Sequence, residues 1–296
     1  MSLIGKGSAA FLLLAALVAS AVSAGSAAAA PGRVSSNWAG YAVTGAGSGS
    51  TDVPAEFTSV SGTWVVPRAT CTGENPSFAA FWVGLGGFAT DAGSLEQIGT
   101  ETDCDATGAV SNYAWYELLP APPVQLKLKI APGDVVWAAV SVSRTRVSLL
   151  IKNVTRHTTS SRQLSKASPD LSSAEWIVEA PSSCNPYRGC RPLPLTNFGT
   201  VSFSKASTTA NGHAGPISDP AWSTTAVQLG GSNAAAAYFG SRWRWQGERR
   251  ISSLPGAVPA ALAAHGSSFS VSWRQAAGSA PTRRPPVPRP GDPYSA

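Results

Sequence analysis

Two short stretches of this 296-residue chain set acid–base side chains at strand spacing among apolar neighbours. In "SLEQIGTE" (94–101), Gln97 and Glu101 fall on one face of an extended chain, with Gly99 leaving space between them. In "LSSAEWIVEAP" (171–181), alternation puts Glu175, Ile177 and Glu179 on one side and Trp176 and Val178 on the other. An amide and a carboxylate suffice for one kind of hydrolysis. The amide donates to a developing oxyanion and holds a water; the carboxylate takes the water's proton and returns it to a leaving amine. This chemistry needs neither metal nor covalent intermediate, and it favours acid because a carboxylic acid must serve as proton donor. Glu175 and Glu179 do not form a glycosidase pair with each other. Four strand residues separate them by about 13 Å at about 3.4 Å each, whereas glycosidase carboxyls sit roughly 5–9.5 Å apart. Either could pair with Glu101 or Glu117 from another strand.

Other hydrolytic chemistries lack their residues. There is no G-x-S-x-G and hence no nucleophile elbow. There is no H-E-x-x-H and no D-[ST]-G. His157, His213 and His265 sit in polar, loop-like stretches without ligand spacing, so no metal or cofactor is expected. The four cysteines suit disulfides better than nucleophilic catalysis.

The elements that would position these groups read as short strands broken by Gly, Pro, Ser and Asn. They are "VSGTWVV" (60–66), "SFAAFWVGLGG" (77–87), "SLEQIGTE", "NYAWYELL" (112–119), "VQLKLKI" (124–130), "DVVWAAVSV" (134–142), "RVSLLIK" (146–152), "AEWIVEA" (174–180), "GTVSFS" (199–204), "TAVQL" (225–229) and "SFSVSW" (268–273). "VQLKLKI" alternates with Val124, Leu126, Leu128 and Ile130 inward. Many short strands without a long amphipathic helix indicate an antiparallel sandwich or barrel. "AVPAALAA" (257–264) is the one candidate helix. Trp82 shares its parity with Gly84 and Gly86, and Trp115 shares its parity with Glu117. Bulky aromatic, bare backbone and acid on one face make a poor core and a good groove.

Residues 1–30 read as a secretory signal: Lys6, the apolar run "AAFLLLAALVASAV", then small residues. The run is too short for a comfortable membrane span, so an exported protein that leaves the membrane after signal cleavage is expected. Export makes the cysteines a disulfide set; four allow three pairings. Cys184 and Cys190 flank the turn-like "NPYRG", and pairing them would leave Cys71 with Cys104. The net charge of +6 lies largely in "RWRWQGERR" (242–250) and in a Pro/Arg-rich C-terminal stretch. Residues 276–296 read as a disordered tail and residues 31–275 as one domain of near-neutral charge, so no nucleic-acid partner is expected. At 13% charge the surface carries few titrating groups. Asn153-Val154-Thr155 matches a glycosylation sequon.

"SNWAG" (36–40), "FWVGLGG" (81–87), "SLEQIGTE", "YAWYELLP" (113–120), "SAEWIVEAP" (173–181) and "PLTNFGTVSF" (194–203) occur in the order and approximate spacing found in the glutamic peptidases, the eqolisins, and the chain resembles that family over about 34–230. The resemblance implies an all-β fold of two bent antiparallel sheets packed as a concanavalin-like β-sandwich, with a polypeptide substrate across a concave face. It places the catalytic glutamine on Gln97 and the catalytic glutamate on Glu179, leaving Glu175 as a supporting acid. The family's cleft residues match Trp38, Trp82, Glu101, Trp115 and Glu117, and its disulfide hairpin falls on Cys184 and Cys190. The chain departs from fungal members at Gly86 and Tyr113, both acidic there. With fewer like charges nearby, Glu179 should be less raised in pKa. "SNWAG" begins close to the signal, so no substantial propeptide is expected, and 240–266 does not resemble the family's late strands. The implied function is a secreted, acid-acting endopeptidase, monomeric by default. The competing readings are a carbohydrate-binding sandwich whose aromatics stack on sugars, and a glycosidase using two carboxyls from different strands.

Overall fold

The computed structural model describes residues 32–45, 54–88, 93–185, 187, 189–230 and 255–275. The signal segment, the C-terminal tail and most of 240–266 lie outside the described residues. Eighteen strands and no helix are found among them: β1 (Arg33–Ser35), β2 (Trp38–Thr44), β3 (Phe57–Val65), β4 (Ser77–Leu85), β5 (Glu96–Cys104), β6 (Val110–Leu118), β7 (Val124–Lys129), β8 (Val135–Ser143), β9 (Arg146–Asn153), β10 (Thr158–Ser165), β11 (Ser173–Glu179), β12 (Ser182–Asn185), β13 (Gly189–Pro192), β14 (Thr200–Ala210), β15 (His213–Gly215), β16 (Ser223–Leu229), β17 (Gly256–Pro259) and β18 (Phe269–Arg274).

Hydrogen bonding runs through one large sheet in the order β10-β9-β8-β3-β14-β18-β17-β16-β2-β11-β4-β5-β6-β7, with β15 on β14. Its pairs are antiparallel except β1 on β16, which is parallel. β12 and β13 form a separate ribbon. The sheet turns back on itself: β3 and β8 pack against β4, β5 packs against β8 and β9, and the end strands β10 and β7 meet. The expected all-β, antiparallel character therefore holds, in a sheet that comes close to closing.

Alternation explains the core. β8 turns Val136, Ala138, Val140 and Val142 inward, and β9 turns Val147, Leu149 and Ile151. These meet Trp64 of the adjacent β3 and Phe81, Val83, Trp176 and Val178 from the opposing strands. The central strands β2, β4, β5 and β11 are buried on both faces. Their second face carries a smaller apolar cluster: Trp38, Ala42, Ala80, Trp82, Leu95, Trp115, Ile177 and Val227.

Two local expectations fail. "AVPAALAA" is not a helix: its first residues form β17, paired with β16 and β18, and Ala257 is fully buried. Small side chains there fit between neighbouring strands, and Pro259 would interrupt an internal helical hydrogen bond. Val124 is exposed, because β7 is a terminal strand whose inward face begins only at Leu126. The sequon asparagine is buried and committed, with Asn153 Nδ2 donating to Lys129 O and to Asp134 Oδ2.

Candidate active site

Strand register arranges the polar and aromatic side chains of the second face in rows. One row runs Trp38, Glu179, Ala80, Glu101, Tyr113 across β2, β11, β4, β5 and β6. The next runs Gly40, Ile177, Trp82, Gly99, Trp115, and the third Ala42, Glu175, Gly84, Gln97, Glu117. Trp38, Trp82, Gln97, Glu101, Trp115, Glu117 and Glu179 thus share one face of the sheet. Gln97 and Glu179 are not opposite each other. They occupy the outer rows, with the tryptophans between.

Glu179 ends β11 and stays partly exposed. Both its oxygens accept N–H bonds: Asn37 Nδ2 donates to Oε1 at 2.8 Å, and Trp82 Nε1 donates to Oε2 at 2.9 Å. Asn37 is itself held by Ser35, whose hydroxyl donates to its Oδ1 at 3.2 Å. Burial pushes the Glu179 carboxyl up to about 7; the Glu117 charge adds to this, while Trp82, Trp38 and Asn37 oppose it. Desolvation outweighs the count of acidic neighbours.

Gln97 is buried, and its Nε2 donates to Glu117 Oε2 at 2.7 Å. Among the described residues its Oε1 has no hydrogen-bond partner. Burial raises Glu117, against the pull of the Gln97 donor. The space expected over Gly99 is occupied. A Cβ there would lie 2.3 Å from Phe81 O and 2.6 Å from Trp82 Cβ, so the bare backbone is what lets Trp82 cross to its neighbours. Trp38 and Trp82 meet edge to face at 5.0 Å, and both are buried along with Trp115. These rings pack on one another and are not open platforms for sugars.

Glu101 lies beside Asp103, two residues on, and Tyr113 Oη donates to Asp103 Oδ2 at 3.1 Å. Burial, then the Asp103 charge, pushes Glu101 up to about 8, while burial takes Asp103 to about 6. Glu175, fully buried, is raised well above the carboxylate range by desolvation. Beside Gly86 (φ 81°) the structure brings Asp170 from the segment before β11. Gly87 N–H donates to its Oδ2 at 3.2 Å, and a Cβ on Gly86 would come within 2.6 Å of the Asp170 Cβ.

Asn37, Asp103 and Asp170 are the residues that sequence reading passes over. Asn37 sits inside the quoted "SNWAG", and Asp103 shares the parity of Gln97 and Glu101, so both left a signal. Asp170 left none. The disulfides are Cys71–Cys104 and Cys184–Cys190. Among the described residues, no three His, Cys, Asp or Glu side chains gather as a metal site. No described helix is long and apolar enough to cross a membrane.

The peptidase A4 family model matches residues 36–239. Among solved structures, the chain is similar to scytalido-glutamic peptidase with a peptide-based transition-state analogue, at 22% identity and a TM-score of 0.59, covering 80% of this chain and 98% of that one. It is also similar to SCP-B, a member of the eqolisin family of peptidases, in complex with the tripeptide Ala-Ile-His, at 22% identity and a TM-score of 0.56, over the same 80% and 98%. These likenesses show a shared fold. Comparison with curated proteins finds no significant match.

Proposed function

The chain belongs to the peptidase A4 family, the glutamic peptidases, and is a peptide-bond hydrolase on that ground; from this premise we propose that it is a secreted, acid-acting, monomeric endopeptidase with Gln97 and Glu179 as its catalytic pair. The two packed halves of the folded sheet act as the layers of a sandwich, and the substrate polypeptide lies along the face shared by the three rows.

Glu179 removes a proton from water as the water attacks the carbonyl carbon, and releases it before the next turnover. Gln97, fixed through its Nε2 by Glu117, stabilises the tetrahedral oxyanion. The observation that carries the reading is the double N–H donation to Glu179 from Asn37 and Trp82. It aims a half-buried carboxylate on the same face as Gln97 and stabilises its ionised form. The two disulfides suit an oxidising compartment outside the cytosol. Acid conditions suit Glu101, which holds its proton below about 8.

The test uses a denatured protein substrate at acidic pH. Activity should be insensitive to pepstatin and to a chelator. It should be lost in both Gln97→Ala and Glu179→Gln, each checked to be folded by thermal unfolding. Full activity in either variant would overturn this assignment.

A further inference from the structure

On the reading of Glu179 as base, we propose that Glu101 is the proton donor to the leaving amine, and that Asp103 and Tyr113 position it. The row Glu179, Ala80, Glu101 sets two carboxyls on one face with only a methyl side chain between them. Two strand spacings separate their Cα atoms by about 10 Å, room for a peptide group to lie between the two side chains. Gln97 stands two rows away, beyond Trp82.

The surroundings divide the labour between the carboxyls. Both Glu179 oxygens accept N–H bonds, which favour the anion against the burial that raises its pKa. Glu101 instead lies beside Asp103, whose charge favours the proton on Glu101, and Tyr113 Oη donates to Asp103 Oδ2 and stabilises that charge. The groups facing Glu101 are Asp103 on its own strand, Tyr113 on β6 and Glu179 on β11. From β4 it meets uncharged Ala80. Lys129 pairs with Tyr113 on β7, exposed and one strand further out, as is Lys127.

In the reaction the water oxygen bonds to the carbonyl carbon as its proton passes to Glu179. The C–N bond then breaks, its electron pair goes to nitrogen, and nitrogen takes the proton of Glu101. Glu179 is left protonated and Glu101 ionised, and a proton returned from the first to the second through solvent restores both. The products are a carboxylic acid and an amine.

The experiment compares a peptide with a p-nitrophenyl ester of the same acyl sequence, because nitrophenolate departs without a proton. Glu101→Gln should lower kcat on the peptide about 100-fold or more, leave ester kcat within a few-fold, and leave both KM values unchanged. Equal losses on both substrates, or none on either, would overturn the proposal. Glu179→Gln should abolish both reactions; if it does not, the Glu179 assignment fails, and this one with it. Positioning has its own readout in the alkaline limb of kcat/KM. Tyr113 lowers the Glu101 pKa and the Asp103 charge raises it, so Tyr113→Phe should move that limb to higher pH and Asp103→Asn to lower pH. Unmoved limbs would remove Asp103 and Tyr113 from the proposal.

Discussion

At the scale of single residues, the site turns on how a carboxyl is kept ready to ionise while nearly buried. Trp82 contributes twice: its ring fills the middle row, and its Nε1 donates to Glu179. That donation lowers the Glu179 pKa against the upward push of burial. Trp82→Phe keeps most of the ring and loses the donor, so the Glu179 pKa should rise. The ionised fraction at a given acidic pH then falls. We expect the acid limb of kcat/KM to move to higher pH, with a several-fold loss at pH 5 and a much smaller one above pH 8. A pH–rate profile measures this, and an unmoved limb would mean that Glu179 is not the ionising base. Parity was enough to put Gln97 with Glu101, and Glu175 with Glu179, on one face of each strand; that these strands share a face came from the resemblance. Parity could not reveal what lies over Gly99, because that depends on the rotamer of a residue on the neighbouring strand. Nor could it reveal Asp170, which reaches Gly86 from 84 positions along the chain.

At the scale of elements, legibility followed exposure. β8 and β9 alternate cleanly because one face meets the core and the other is wetter. β2, "WAGYAVT", is buried on both faces and shows no period, and β10, "TTSSRQLS", is an edge strand too polar to announce itself. The strand that carries the chemistry, β5, is buried along most of its length and ends at Cys104, one residue beyond Asp103. Its disulfide to Cys71 spans 33 positions, whereas Cys184–Cys190 spans 6 within the β12–β13 ribbon. Loop-closure entropy then assigns about 4 kcal/mol to the first and about 2 kcal/mol to the second. Thermal unfolding of the two double-serine variants should show the larger loss for Cys71/Cys104. That variant should also lose peptidase activity before global unfolding, because the end of β5 holds Glu101 and Asp103. Equal losses would show that the denatured chain does not gain the extra freedom assumed.

At the scale of the whole molecule, the order of strands was the least legible feature. β2, near one end of the chain, inserts between β11 and β16, and only that insertion gives Glu179 its neighbours Asn37 and Trp38. The same assembly buries Glu96 and Glu175 and partly buries Glu101, Asp103 and Glu179, each raised chiefly by desolvation. An acid whose folded pKa exceeds its unfolded value binds more protons when folded. Its contribution is therefore full below the unfolded value near 4–4.5 and is lost as pH rises through the folded one. With Glu96 and Glu179 at about 7 and Glu101 at about 8, the loss should fall between about pH 4.5 and pH 8. Tm should drop by on the order of 10 °C across that window, and Glu175→Gln should flatten the drop, since an amide has no proton to lose. A Tm that rose with pH would mean these carboxyls reach solvent or cations in the folded protein. A fold that loses stability on deprotonating its buried acids is matched to chemistry in acid, independently of which carboxyl does that chemistry.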